Sequence, residues 1–204
     1  MKTLKSFFVI EDKIDGEQIL KNLERYGRVC YKSEGKITSD SARKFVTKIL
    51  KSKHESIIEH EKVTVRIICD RGITHEIVRH RIASYSQEST RYCNYKSRGI
   101  QFIQPFFFVG DDKKYQIWLN VMRVCEDAYN TLIEAGATPQ EARSVLPNSL
   151  KTEIVITQNL RQWRHFFKLR CSKQAHPQMR EIIIPLLQEF KQQIPIIFDD
   201  IAEE

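Results

Sequence analysis

The sequence predicts an α+β fold: a single helix-rich domain with a modest, mainly antiparallel sheet. Segments with apolar residues at helical spacing, several of them behind helix-start signals, outnumber short runs of β-branched and aromatic residues. A length of 204 residues, with 41% hydrophobic and 29% charged residues, is ordinary for one soluble globular domain with its own core. We therefore expect one domain over residues 1–204.

The first third of the chain alternates predicted strands and helices. Residues 4–10 are apolar and predict a first strand, and residues 39–52 carry apolar side chains at helical spacing behind a Ser-Asp start signal. In residues 62–68 three β-branched residues alternate with polar ones, which is typical of a strand with one polar face. Asp70 then predicts the cap of a short helix that runs to about His80.

The middle of the chain predicts a β-prone segment followed by a long helix. Residues 100–109 are rich in aromatic residues, which favours a strand. Pro105 cannot donate a backbone hydrogen bond, so it indicates that the second half of this segment is an edge strand or a loop. Residues 113–135 form an amphipathic pattern that Gly136 ends. The predicted apolar stripe consists of Trp118, Val121, Met122, Cys125 and Leu132.

The last third begins with a well-specified helix start. Thr138-Pro-Gln-Glu141 is a capping box with proline at the first helical position. Residues 152–157 are β-branched and predict a strand, and residues 159–169 predict a helix with Leu160, Trp163 and Phe167 on its apolar side. A final helix begins near Pro177 and ends before Pro195.

Charge and cysteine usage narrow the classes of partner and compartment. The net charge of +7 favours anionic partners such as nucleotides, phosphorylated cofactors and polyglutamylated folates. Five cysteines form no CxxC pair, so we expect reduced thiols. The N-terminus is charged too early for a signal peptide, and no apolar run approaches the ~20 residues of a membrane helix. We expect a cytoplasmic protein without a membrane partner.

The densest polar cluster occupies residues 79–92. Eight polar residues run from residue 84 to residue 91 with no apolar anchor. A helix C-terminus that favours positive charge through its dipole accounts for one or two of the cations, but not for that run. Glu76, Arg79 and His80 have i, i+3, i+4 spacing and can present one polar surface. The cluster therefore indicates a binding site.

Two later arginines are also candidates for binding an anionic ligand. Arg143 lies in the short capped helix, and Arg170 ends a helix that also carries Arg161 and His165. A solvated basic face is the alternative interpretation of that helix. Arginine nevertheless binds phosphate and carbonyl oxygens with paired donors, so several converging arginines suit a nucleotide.

Several motifs are missing from the sequence. There is no GxGxxG and no Walker loop, so a bound dinucleotide would need side chains to hold its pyrophosphate. His54 and His60 are six residues apart, and His75 and His80 are five apart. Neither spacing matches the four-residue HExxH pattern, and we expect no metal site.

The motif Arg79-His80-Arg81, followed after seven residues by Ser89, resembles the RHR-x7-S signature of flavin-dependent thymidylate synthases (the ThyX family). The resemblance extends to the His-Glu-Ser segment and its trailing Glu-His at residues 54–60, and to the Ala-Arg-x-x-Leu-Pro helix at 142–147. It also includes the Asn-x-Arg…His-Phe…Leu-Arg block at 159–170. These segments follow the family order and spacing.

The resemblance implies a ThyX-like fold and an enzyme that methylates dUMP to dTMP. FAD, NADPH and 5,10-methylenetetrahydrofolate would take part, in a homotetramer whose flavin sites lie between subunits. For the flavin it implies Ser56, Arg79, His80, Arg81, Gln87, Asn159, Arg161 and His165. For dUMP it implies Glu76, Arg79, Gln87, Glu88, Ser89, Thr90, Arg91, Arg143 and Arg170.

The resemblance also implies a mechanism without a cysteine nucleophile. Arg170 would stabilise negative charge on the uracil ring, and His54 would orient the flavin or the folate. Ser89 has no adjacent base in the sequence, so we read it as a hydrogen-bond donor. The acid at Glu88 is displaced by one position from the common family pattern.

Two alternatives stay open at this point. Tyr85, Tyr92 and Tyr95 are interleaved with arginines, which is also typical of a nucleic-acid-binding module, although we expect no nucleic acid here. A relative that binds nucleotide without catalysis is the second alternative.

Overall fold

The computed structural model describes residues 1–203 and contains two sheets and eight α-helices within them. The strands are β1 (Lys2–Leu4), β2 (Phe7–Ile10), β3 (Lys62–Asp70), β4 (Ser84–Gln87), β5 (Gln101–Ile103) and β6 (Lys151–Asn159). The helices are α1 (Gly16–Cys30), α2 (Ser41–Lys51), α3 (Arg71–Ile77), α4 (Tyr95–Arg98), α5 (Asp112–Glu134), α6 (Pro139–Ala142), α7 (Leu160–Arg170) and α8 (Pro177–Gln193).

The larger sheet has four strands in the order β2-β3-β6-β4 and is antiparallel. The smaller sheet pairs β1 with β5 in parallel, with Lys2 opposite Gln101 and Leu4 opposite Ile103. The α+β prediction is therefore confirmed. No helix within residues 1–203 is long and apolar enough to cross a membrane.

The chain divides into two compact units. Unit 1 comprises Met1–Phe7, Arg66–Arg79 and Tyr85–Val155, and unit 2 comprises Phe8–Val65, His80–Ser84 and Ile156–Glu204. Each has its own set of buried side chains. The expectation of one domain over the whole chain stays a prediction.

Unit 2 is built around an aromatic core. Trp163 is fully buried on α7, and its indole N–H donates to the Val63 carbonyl oxygen at 3.0 Å. Its ring stacks on Phe167, with centroids 5.4 Å apart, and meets Phe190 at 5.1 Å. Large aromatic side chains bury much apolar area, so this cluster fixes α7 and hence the polar residues on its other face.

The core of unit 1 lies under α5. Trp118 and Met122 are buried there, as the amphipathic pattern predicts, and so is Tyr129, which was outside the predicted stripe, but Val121 is half exposed. Three residues along a helix correspond to a rotation of about 60° from Trp118, which places Val121 at the edge of the stripe. The buried Trp118 indole donates to the Ser149 hydroxyl at 3.1 Å, so its polar atom is satisfied.

Three local predictions were wrong or missing. Residues 4–10 form two strands in different sheets, because the chain leaves β1 at Lys5 and Ser6. Helix α1 was not predicted, although Asp15 caps it by accepting from the Gln18 N–H at 2.9 Å. Strand β4 consists of polar residues and tyrosine, so it lacks the alternation that reveals a strand.

Glycine lets α1 lie close to its neighbours. A Cβ atom at Gly27 would lie 2.7 Å from the Phe45 ring and 2.9 Å from the Ile57 side chain. Those distances are shorter than van der Waals contact, so a larger residue would push α1 away from α2 and from the 3₁₀ helix Glu55–His60. This 3₁₀ helix carries part of the predicted site.

Candidate functional site

The centre of the predicted site in unit 2 is a hydrogen bond between Arg170 and His80. The Arg170 Nε–H donates to His80 Nε2 at 3.0 Å. The His80 side chain is only 5% exposed; its ring meets His165 at 5.7 Å and Phe166 at 4.6 Å between centroids. The buried imidazole therefore orients the guanidinium of Arg170.

His80 is held in its neutral form. Burial, with the nearby positive charge of Arg170 and the ring of His165, lowers the pKa of His80 from 6.5 to about 4. The hydrogen bond agrees with this direction, because Nε2 must lack a proton in order to accept from Arg170. The proton of the neutral ring then lies on Nδ1.

The junction of β6 and α7 presents the polar residues of this region. Asn159 caps α7, with its side-chain oxygen accepting from the Gln162 N–H at 2.8 Å. Arg161, His165 and Lys168 follow at i, i+4 and i+7 spacing and are exposed on one helical face. Burial of Leu160, Trp163 and Phe167 on the opposite face, as predicted, fixes that orientation.

A cavity of about 500 Å³ lies against this face of α7. Arg161 pairs with Glu59 at 2.5 Å, and Arg164 pairs with Asp200 at 2.6 Å. The cavity walls carry three cations and two carboxylates, and a third carboxylate, Asp200, pairs with Arg164, so Lys168 is the lining cation without an ion pair among residues 1–203. The lining residues are Glu55, Glu59, Ile82, Asn159, Arg161, Gln162, Arg164, His165 and Lys168.

The flanking arginines of the RHR motif remain available to a ligand. Arg79 in unit 1 and Arg81 in unit 2 are both exposed. Neither has a carboxylate within ion-pairing distance among residues 1–203. Ser56, also exposed, lies in the 3₁₀ helix Glu55–His60, and Glu76 is half-buried near the end of α3.

In unit 1 the end of β4 is anchored by two side chains that the sequence did not single out. The Gln87 amide nitrogen donates to the Thr74 hydroxyl at 3.0 Å and to the Thr152 hydroxyl at 3.4 Å. Both threonines are fully buried. The two hydrogen bonds turn the amide nitrogen of Gln87 inward, while Ser86 and Glu88 line a cavity of about 500 Å³.

Glu88 takes part in a charged network on the polar face of the sheet. Lys151 donates to Glu88 at 3.1 Å and to Glu153 at 2.5 Å, and Arg66 pairs with Glu153 at 3.3 Å. Burial opposes the charge on Lys151, but the hydrogen bonds to the two glutamates outweigh it and raise its pKa. The alternation of β6 places Lys151 and Glu153 on one face, a signal that the sequence contained.

The remaining nucleotide-binding candidates follow along the same segment. Arg143 donates to the buried Thr90 hydroxyl at 3.2 Å, which joins the short capped helix to the polar run. Arg91 is exposed and lies over the Tyr92 ring at 5.4 Å, and the Ser89 hydroxyl accepts from the Arg91 N–H at 3.3 Å. Unit 1 thus assembles hydroxyls and two arginine side chains over residues 89–91 and 143.

His54 lies elsewhere in unit 2, beside an aromatic residue that the sequence did not reveal. Its Nδ1 is 2.7 Å from the Tyr31 hydroxyl, and the two rings are nearly parallel with centroids 6.5 Å apart. Both residues are exposed and line a cavity of about 530 Å³. Tyr31 is 23 positions from His54 in the chain, and no local pattern links the two residues.

The structure groups the predicted residues by unit. Unit 1 holds Glu76, Arg79, Gln87, Glu88, Ser89, Thr90, Arg91 and Arg143. Unit 2 holds His54, Ser56, His80, Arg81, Asn159, Arg161, His165 and Arg170. Within residues 1–203 no group of three or more His, Cys, Asp or Glu side chains could hold a metal ion.

Comparison with known proteins agrees with the motifs. The profile of the family described as "Thymidylate synthase complementing protein" matches residues 14–196. The flavin-dependent thymidylate synthase of Geobacter sulfurreducens is 37% identical over 180 residues, covering 85% of this chain and 78% of that protein. The enzyme of the same name from Pyrococcus furiosus is 36% identical over 167 residues, covering 80% of this chain and 68% of that protein.

Among solved structures, the fold is similar to that of the UMP/dUMP methylase PolB from Streptomyces cacaoi, bound with 5-Br dUMP. The TM-score is 0.82, with 98% of this chain and 96% of that chain covered at 19% sequence identity. At that identity the likeness shows the fold alone. The profile match and the identities above 30% confirm the resemblance in the motifs, and the chain belongs to the family of flavin-dependent thymidylate synthases.

Proposed function

We propose that this protein methylates dUMP to dTMP, with 5,10-methylenetetrahydrofolate as the carbon donor and NADPH-reduced FAD as the hydride source. The observation that carries the proposal is the pair formed by Arg170 and the buried, neutral His80 within the RHR motif of this family. A fixed guanidinium of this kind is suited to stabilising negative charge on a uracil ring.

The residues of unit 2 fit the polar parts of FAD. A pyrophosphate carries negative charge and needs cations that are not already neutralised, and Arg81 has no carboxylate partner among the described residues. The cavity beside α7 offers Lys168, which has no ion pair among the described residues, with Asn159 and His165 as further donors or acceptors. These side chains would hold the flavin in place of a glycine-rich loop, and bound flavin would supply hydride.

We assign the activation of uracil to Arg170. Negative charge that develops on the ring nitrogen and carbonyl oxygens would be stabilised by the guanidinium, and His80 would keep it in place by accepting its Nε–H. Because His80 is neutral, it adds no second positive charge and does not repel Arg170. His80 acts here as a positioning residue.

We assign phosphate and sugar recognition to the polar run of unit 1. Arg143 and Arg91 supply guanidinium donors, and Ser89 supplies a hydroxyl. Arg143 is exposed while its Nη1 is tethered to Thr90, so it can reach a ligand without losing its orientation. Gln87 and Glu88 would take supporting positions, since both are engaged with neighbouring side chains.

We further propose that no thiol adds to uracil. All five cysteines are free, and burial raises the pKa of Cys69 and raises that of Cys171 to about 12. A thiol becomes nucleophilic by losing its proton, so these two buried groups are poor candidates. The free thiols also suit a cytoplasmic enzyme, and family resemblance favours a homotetramer.

A spectroscopic titration tests the proposal. Purified protein reconstituted with FAD should show flavin absorbance bands, which anaerobic NADPH should bleach at a rate that depends on dUMP. A protein that stays colourless after incubation with FAD would contradict the flavin site. An equal rate of flavin reduction with and without dUMP would contradict the coupling of the flavin site to the nucleotide site.

A further inference from the structure

A second polar cavity of unit 2 has a composition that the flavin and dUMP do not require. It has a volume of about 530 Å³ and lies between the C-terminal end of α1 and helix α2. His54, Tyr31 and Phe45 give it an aromatic part, with Ile49 as a further apolar wall. Among residues 1–203 its cationic lining residues are Arg28, Lys36, Lys44 and Lys48, and its acidic lining residue is Asp40.

The cationic surface continues along α2. A neighbouring cavity of about 430 Å³ shares Lys44, Lys48 and Ser52 with the first and extends to Lys51. Lys44, Lys48 and Lys51 are spaced at i, i+4 and i+7, so their side chains follow one face of the helix over about 10 Å. We call the two cavities together the α2 groove.

Several of these charges are not neutralised by the protein. Lys36, Lys48 and Lys51 are exposed and have no carboxylate in ion-pairing range among residues 1–203. Lys44 has only a long, exposed pair with Asp40 at 3.8 Å. Arg28 differs, because its guanidinium is 2.6 Å from the buried Glu24 carboxylate. The lysines are therefore free to bind an anionic ligand.

We propose that the α2 groove binds the poly-γ-glutamate tail of the folate substrate. This inference rests on the proposed function, and on the family resemblance by which His54 would orient the flavin or the folate. The groove joins an aromatic part to a line of separated cations, and a polyglutamylated folate likewise joins aromatic rings to a chain with one carboxylate per residue. The lysines would favour long-tailed folates without touching the reacting atoms.

The arrangement of the cations favours a polycarboxylate over a phosphate group. A phosphate is bound best by donors that converge on one point, and arginine with its paired N–H groups is the usual residue. Here the unpaired cations are lysines, which act as single point charges. Lys48 and Lys51 lie one turn apart along α2, and Lys36 lies in the 3₁₀ helix Glu34–Lys36. A flexible chain of separated carboxylates matches that pattern of charge.

The test compares monoglutamyl with pentaglutamyl methylenetetrahydrofolate. In the wild-type protein we expect KM to be lower for the pentaglutamyl form by about tenfold, the combined effect of three exposed ion pairs of modest strength. In the triple variant Lys36→Gln, Lys48→Gln, Lys51→Gln, the two KM values should become nearly equal, with kcat for the monoglutamyl form unchanged.

A matched variant controls for the loss of charge. Lys5, Lys21 and Lys113 are exposed and lie outside the α2 groove, so their replacement by glutamine removes the same charge and should keep the wild-type ratio. Titration calorimetry with monoglutamyl and pentaglutamyl tetrahydrofolate measures the same preference without turnover. It therefore distinguishes failure of this inference from failure of the proposed enzyme activity.

Three results would overturn the inference. The first is an equal affinity of the wild-type protein for both folates, and the second is an unchanged preference in the groove variant. The third is a groove variant whose defect lies in KM for NADPH or in salt-dependent oligonucleotide binding, with no change in the glutamate preference. That result would assign the groove to a phosphate-bearing ligand.

Discussion

Replacing His80 with glutamine should weaken the dependence of folding stability on pH. In the folded protein the pKa of His80 is lowered to about 4, chiefly by burial and then by Arg170 and His165. In the unfolded chain the same group has a pKa of about 6.5. As pH falls through 6.5 the unfolded chain takes up a proton first, so the unfolding free energy decreases until pH approaches the folded value.

The size of this effect follows from the two pKa values. At pH 5 nearly all of the unfolded imidazoles are protonated while most of the folded ones are neutral, which costs about 2 kcal/mol relative to pH 8. The loss should approach about 3 kcal/mol near pH 4. Because glutamine does not titrate, the His80→Gln variant lacks this pH-dependent loss of stability. The glutamine side-chain oxygen can still accept the hydrogen bond from Arg170.

Urea unfolding followed by tryptophan fluorescence measures the difference. Trp163 is fully buried in unit 2, the same unit as His80, and reports loss of its core. Between pH 8 and pH 5 the wild-type protein should lose about 2 kcal/mol more than His80→Gln. His75→Gln, at an exposed position of α3, controls for removal of a histidine. Parallel pH dependences of the wild-type protein and His80→Gln would refute the reasoning.

The remaining predictions concern the chemistry and the ion pairs. Arg170→Ala should lower dTMP formation about a hundredfold or more while flavin absorbance is retained, because it removes charge stabilisation rather than the cofactor site; wild-type turnover would contradict this. Ser89→Ala, and separately the replacement of all five cysteines by alanine, should leave measurable activity, and mass spectra should show no covalent nucleotide adduct on Ser89. Asp200→Ala should cost about 2 kcal/mol of unfolding free energy in urea titrations, since it removes the bidentate partner of the 3%-exposed Arg164 and leaves it Glu55 at 3.5 Å. A cost below about 1 kcal/mol would mean that water replaces the carboxylate.

The elements that the sequence predicted are those with strong local signals. The capping box at Thr138 is present, with the Thr138 N–H donating to Glu141 at 2.7 Å. Asp70 caps α3 by accepting from the Ile73 N–H at 2.8 Å. Pro177 begins α8, as predicted. Caps and helix-start prolines act within a few residues, so they can be read without knowledge of the fold.

The parts that the sequence did not predict depend on contacts between distant residues. Strand β4 is recognisable only through its place beside β6 in the sheet. Lys151 reaches Glu88 across 63 positions, and Tyr31 meets His54 across 23. Such pairs are set by packing, and a local pattern carries no information about them.

The same distinction holds within the RHR motif. The sequence indicated a basic cluster, but not that its three members differ in environment. Arg79 and Arg81 are exposed, whereas His80 is buried, neutral and bonded to Arg170, which lies 90 positions away. The long-range contact changes the interpretation of His80 from a cation to a neutral acceptor.

The central claim is that this protein makes dTMP with a carbon taken from folate. The most direct measurement is mass spectrometry of the nucleotide product after incubation of the FAD-loaded protein with dUMP, NADPH and methylenetetrahydrofolate labelled with ¹³C in its methylene group. We predict dTMP with one labelled carbon in its methyl group, in an amount that exceeds the enzyme added. Unchanged dUMP from a protein that binds flavin and is reduced by NADPH would contradict the account.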